Sequence, residues 1–171
     1  MPNPRPDQPQ QPNQPGDLSH LTNGKKVIAS ALYGGLLTPN DANGSRHIAQ
    51  AWRQDYNKVG GYYTWEFTRV SEGVYTIKNS DSGRYLEPKR NNETQGGYTL
   101  GWKSDVYLES GDLTGAKREW SIERRGDLYQ IRLKGETWSM GLKDRNADDS
   151  HIGLLEPWWT VDRLWYITDR P

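Results

Sequence analysis

The sequence predicts an all-β fold: twelve short strands in three pseudo-repeats, closed into a barrel with a hairpin cap and preceded by a Pro/Gln-rich tail. Three observations predict it. Short runs that alternate apolar and polar residues recur from Leu18 onward, with little helical periodicity between them. Clusters of Asn, Asp, Gly and Ser, such as "NDANGS", "NSDSG" and "DRNADDS", separate those runs as turn-formers do. A tryptophan-bearing strand is written three times, which marks an internal repeat.

In chain order the tail comes first. Residues 1–17 hold six of the ten prolines, four Gln and no aliphatic residue beyond Met1. Such a segment is expected to be disordered or extended in the manner of polyproline, serving as a linker or solubilising tail. It also leaves room for a protein partner that recognises proline-rich chains. Residues 18–171 then form one domain, as the length of 171 residues allows.

The strand "KKVIASAL" opens that domain. "YTWEFTRV" and "GVYTIKN" make a hairpin turned at Gly73, and "EWSIERR" and "DLYQIRLK" make a second turned at Gly126. "RLWYITD" ends the chain, and its expected partner is the opening strand, which would seal the ring. Each unit also carries a turn, a short strand, a polar loop and another short strand. Closure leaves no edge to pair with other chains.

Trp65, Trp120 and Trp165 have Phe67, Ile122 and Ile167 two positions on, so one strand face is apolar in every unit. These residues are assigned to the barrel core. With only 33% hydrophobic residues, but 8 Trp and 10 Tyr, aromatic rings must supply much of the buried area. A second set, Trp52, Trp102 and Trp158, precedes the first. Charged neighbours leave each of them open to two readings, a partly buried residue or an exposed stacking platform. Trp158 and Trp159 on one strand would face opposite ways, which exposes at least one. Trp138 is expected to pack.

This threefold pattern of Trp strands over residues 18–171 resembles the β-trefoil of ricin-B-type lectins. The resemblance implies a carbohydrate-binding module: in such lectins each unit pairs an acidic residue on its second strand with an aromatic platform about fifteen positions later. A Gln often stands two positions before the platform, and an Asn-Gln pair precedes the core Trp. The sugar's apolar face stacks on the ring while amides and carboxylates bond its hydroxyls. Unit one offers Gln50 and Trp52, with Thr38 near the acidic position. Unit two offers Glu87 and Trp102, with Leu100 where the Gln would be. Unit three offers Asp144, Glu156 and Trp158, with Asp162 in place of the Asn. The Asn-Gln pair is absent throughout, because Tyr62-Tyr63, Lys117-Arg118 and Asp162-Arg163 occupy its position. Galactose specificity therefore does not carry over. Similar trefoils serve as receptor-binding parts of toxins, protease inhibitors and haemolymph proteins, so a protein-binding or storage role is the alternative. For an inhibitor, "LESGDLTGAKRE" would be the presented loop.

Charge and motifs narrow the remaining classes. Lys plus Arg and Asp plus Glu are both 22, so nothing favours nucleic acid or an anionic membrane surface, and no apolar run is long enough to span a bilayer. With no Cys there is neither a disulfide nor a thiolate metal site. The three His show no metal-binding spacing, and "DRNADDS" lacks the Gly and Glu of a calcium loop. No cofactor or metal is expected. Glycoside hydrolysis needs two carboxylates about 5–10 Å apart, for which Glu87 and Asp105 are candidates that sequence does not place. The expectation is a domain without catalytic activity. Sequons at Asn43 and Asn92 indicate surface loops. An extracellular location is expected, with the signal peptide outside the chain given.

Overall fold

The computed structural model describes residues 18, 21–39, 47–52, 61–111, 113–145 and 149–169. The tail at residues 1–17 and the sequon at Asn43 lie outside them. Among the described residues there are twelve strands, two 3-10 turns, at 61–63 and 161–163, and no helix long and apolar enough to cross a membrane.

The first unit comprises β1 (Gly24–Ser30), β2 (Leu36–Pro39), β3 (His47–Trp52) and β4 (Thr64–Ser71). The second comprises β5 (Val74–Asn79), β6 (Tyr85–Pro88), β7 (Val106–Glu109) and β8 (Glu119–Arg125). The third comprises β9 (Leu128–Leu133), β10 (Ser139–Leu142), β11 (Asp149–Leu155) and β12 (Trp165–Asp169). Each of the six alternating runs picked out in the sequence falls on one of these strands.

Six strands close a ring. β1 pairs with β4, β4 with β5, β5 with β8, β8 with β9, β9 with β12, and β12 with β1, all antiparallel. The seam between first and last strands runs from Lys26↔Asp169 to Ser30↔Trp165, as expected for the opening strand. Gly73 and Gly126 turn the two tight hairpins with φ of 72° and 61°, a left-handed backbone that side-chain-bearing residues adopt at a cost. The other six strands form three hairpins, β2–β3, β6–β7 and β10–β11, which cap one end of the ring. β3 holds the cap together by pairing with both β7 and β11.

Apolar residues at alternate strand positions point inward and fill the barrel. Trp65, Trp120 and Trp165 are fully buried, with Phe67, Ile122 and Ile167 beside them. The indole Nε1 of Trp65 donates to the Leu37 carbonyl at 3.0 Å, that of Trp120 to the Leu86 carbonyl at 3.0 Å, and that of Trp165 to the Met140 carbonyl at 3.1 Å. One hydrogen bond thus recurs three times and ties each barrel strand to its own cap hairpin. A buried indole N–H requires such a partner, so these bonds also fix the depth at which each ring sits. Trp138 packs partly buried against the same core.

Candidate functional site

The repeated indole bonds make Leu37, Leu86 and Met140 equivalent, and the hairpin ladders extend that equivalence. Trp52 pairs with Leu36, Glu109 with Tyr85, and Leu155 with Ser139. The threefold mates of Trp52 are therefore Glu109 and Leu155. This corrects the grouping of Trp52 with Trp102 and Trp158: Trp102 lies in the stretch between β6 and β7, before its strand and not after it, and Trp158 lies beyond the end of β11. By the same ladders the acidic position is occupied by Thr38, Glu87 and Gly141, which corrects the placing of Asp144 there.

In unit two the acid is present but enclosed. Glu87 is fully buried. Its Oε1 accepts from Arg90 Nε at 3.0 Å and from the Tyr98 hydroxyl, and its Oε2 from Arg90 Nη2 at 2.8 Å and Arg118 Nη2 at 3.0 Å. Arg90 is buried too, lies 3.6 Å from Glu109, and donates through Nη1 to the carbonyls of Glu93 and Ser110. Arg118 stacks on Tyr85 at 4.2 Å. Burial and then the bond to Glu87 push the Tyr98 phenol above its ordinary value, so it remains a donor at neutral pH. Two carboxylates and two guanidiniums thus compensate each other, with the lone pairs of Glu87 occupied from within. Tyr107, not an amide, faces Glu87 across the ladder.

Unit three has no acid at that position, and a side chain there would have to displace its neighbours. A Cβ on Gly141 would come within 2.7 Å of Leu155 Cδ1 and 3.1 Å of both Arg163 Cγ and the Asp162 carbonyl. Arg163 occupies the place that Arg118 holds in unit two, two residues before the core Trp, but with Gly141 in place of Glu87 it binds other carboxylates. Its guanidinium lies 4.4 Å from the Trp158 ring and bonds the Glu156 carboxylate at 3.0 Å and Asp162 at 3.3 Å. Asp162 also accepts from Thr160 Oγ1 at 2.6 Å. Burial alone would raise the Asp162 carboxyl, but the bonds from Thr160 and Arg163 and the guanidinium charge outweigh it and hold the group below its ordinary value.

That shift has a testable sign. A carboxyl depressed in the folded state contributes stability above its unfolded pKa of about 3.9, and the contribution is lost as pH falls through the lower folded value. Urea midpoints of wild type and Asp162→Asn should differ most at neutral pH, and the gap should begin to close only as pH falls below about 4. A gap that does not change with pH would show that Asp162 titrates alike in both states.

In unit one Thr38 is buried and donates to the Pro39 carbonyl, while Gln50 sits opposite it on β3, also buried. Trp52 ends that strand with 43% of its surface exposed. Trp102 and Trp158 are more exposed still, at 62% and 58%. Lys103 Nζ lies 4.7 Å from the Trp102 ring, and Arg125 lies 3.9 Å from Trp159, which is partly covered. Trp158 and Trp159 thus stack on different arginines. Asp144 is exposed, and its backbone N–H bonds Ser150 Oγ. Asn92 is exposed in a turn where its Oδ1 accepts from Thr94 and Gln95.

The sequence reading missed Arg90, Tyr98 and the roles of Arg118 and Arg163. The last two had been visible only as departures at the position two before each core Trp. The repeated "LTP" and "LEP" of the cap hairpins was the signal that aligns Thr38 with Glu87.

Among solved structures the chain is similar to the Rhizoctonia solani agglutinin, with TM-score 0.69 and 16% identity over 86% of this chain and 96% of that one. It is also similar to the ricin B-like lectin of Macrolepiota procera in complex with lactose, with TM-score 0.64 and 16% identity over 86% and 96%. A designed threefold-symmetric protein, ThreeFoil, matches with TM-score 0.67 and 14% identity over 85% and 98%. Identities this low establish the β-trefoil fold alone. No curated protein matches the chain. The model of the ricin-type beta-trefoil lectin domain-like family matches residues 61–155, more than half of the sequence, and the chain belongs to that family.

Proposed function

We propose that this domain is a carbohydrate-binding module without catalytic activity, in which exposed tryptophan faces hold sugar rings. The observation that carries the reading is the division of the tryptophans: three are fully buried, whereas Trp52, Trp102 and Trp158 leave 43%, 62% and 58% of their surface in water. An exposed indole offers a flat apolar face on which the apolar face of a sugar ring can stack. Family membership, and the lactose bound to one similar lectin, support a sugar as the ligand. Trp52 with Gln50 and Thr38 is the platform that keeps the threefold position. Asp144 and Glu156 have solvent-reachable carboxylates for sugar hydroxyls, Glu156 while also bonding Arg163, whereas the buried Glu87 and Asp162 act by holding Arg118 and Arg163. The candidate hydrolytic pair supports the non-catalytic reading, because Arg90 and Arg118 bind Glu87 and Lys143 bonds Asp105 at 2.6 Å.

A glycan array probed with wild type, Trp52→Ala, Trp102→Ala and Trp158→Ala tests this. Burying part of one ring against a sugar is worth about 1–2 kcal/mol, so a variant should lose roughly tenfold in affinity at its own site, with an unchanged melting temperature. Multivalent display should strengthen binding. A folded wild-type protein that gives no signal on any glycan overturns the proposal.

A further inference from the structure

A depression of about 350 Å³ lies within the stretch between β6 and β7, lined by Lys89, Asn91, Thr99, Lys103, Ser104 and Asp105 together with Arg90. It is an open, mainly polar depression rather than an enclosed pocket. The charges around it do not balance locally. Arg90 is consumed by Glu87, and Asp105 is neutralised by Lys143 at 2.6 Å. Lys89 and Lys103 have no acidic partner among the described residues. Each instead lies over an aromatic ring, Lys89 at 5.6 Å from Tyr107 and Lys103 at 4.7 Å from Trp102. The whole chain has a formal net charge of zero, so this excess is a local feature and not part of a basic surface.

The backbone holds Lys103 in place. It is the one non-glycine among the described residues with a positive φ, 64°. Its N–H donates to the Leu154 carbonyl at 2.8 Å, and Ser104 Oγ accepts from the Gly101 N–H at 2.9 Å. The backbone thus fixes where the Lys103 side chain leaves the chain, and its ammonium lies over the Trp102 ring. Beside it, Trp102 offers an exposed ring, and Asn91, Thr99 and Ser104 offer amide and hydroxyl groups. Two lysines lining one depression, next to an apolar platform and neutral hydrogen-bonding groups, fit a ligand with an anionic substituent on a hydroxylated ring.

We propose that Lys89, Lys103 and Trp102 form a subsite for saccharides that carry a carboxylate or sulfate group. This rests on the carbohydrate-binding reading and names a ligand class for one part of its surface. The test is calorimetric titration of the full chain with a galacturonic acid tetrasaccharide, its carboxyl-reduced neutral form, a sulfated tetrasaccharide and inorganic polyphosphate. The acidic tetrasaccharides should bind at least tenfold more tightly than the neutral form at low salt, with the advantage shrinking as salt rises. Which of the two binds better identifies the anion. Lys89→Gln and Lys103→Gly should abolish the advantage, and Lys103→Gly should not lower the melting temperature, because glycine accepts the left-handed backbone. Equal binding of the neutral form, an advantage retained in both variants, or polyphosphate binding as tightly as the saccharides each overturns the subsite. If neutral glycans bind but acidity confers nothing, only the subsite fails; if no glycan binds, the module's function fails with it.

Discussion

Arg90→Met is expected to destabilise the fold by about 3–5 kcal/mol, as removing one partner from a buried ion pair does. Methionine replaces much of the side-chain volume, so the effect is electrostatic. The substitution leaves Glu87 and Glu109 buried with Arg118 still bonded to Glu87, and it removes the donor that Arg90 Nη1 gives the Glu93 and Ser110 carbonyls. Arg90→Lys keeps the charge but not the planar fork that bonds both oxygens of Glu87, so it too should lose stability, though less. Urea unfolding followed by tryptophan fluorescence measures both. If Arg90→Met shifts the midpoint no more than an ordinary surface change, the cluster contributes nothing to stability.

The second large effect belongs to the barrel tryptophans. Trp120→Ala should cost about 3–5 kcal/mol, the usual range for truncating a buried aromatic residue. Trp120→Phe separates the causes, since it keeps most of the ring but removes the donor to the Leu86 carbonyl. A buried acceptor left without its partner costs about 1–3 kcal/mol. Trp65 and Trp165 make the same bond to Leu37 and Met140, so their phenylalanine variants should lose similar amounts. Thermal or urea unfolding of the three Phe variants checks this. A wide spread among them would mean that packing around each ring, not the shared bond, sets the cost.

The barrel was legible in the sequence because its strands obey one rule. Trp65-Phe67, Trp120-Ile122 and Trp165-Ile167 each place two apolar residues on the same face, and "VYTI" and "LYQI" repeat the strand that follows. The cap was harder to read. Its hairpins share a backbone register but not side chains, as Trp52, Glu109 and Leu155 show at one equivalent position. Counting from tryptophan to tryptophan therefore joined Trp52 to Trp102, which belongs to the 89–105 stretch specific to unit two. Trp52, Trp102 and Trp158 are all exposed, but they do not occupy equivalent positions in the three units. The Glu87 cluster was hidden for a different reason. Arg90, Tyr98 and Arg118 are brought to one carboxylate by loops, and no periodicity records which loop residues converge.

The seam between β1 and β12 bears on how the chain acquires its shape. During synthesis the ring has five of its six staves once β9 has emerged, but the gap stays open until Asp169 is made. Until then both lips of the gap, on β1 and β9, present unpaired backbone, and the Met140 carbonyl awaits its indole. Such unpaired edges invite wrong partners, and β12 covers both of them at once.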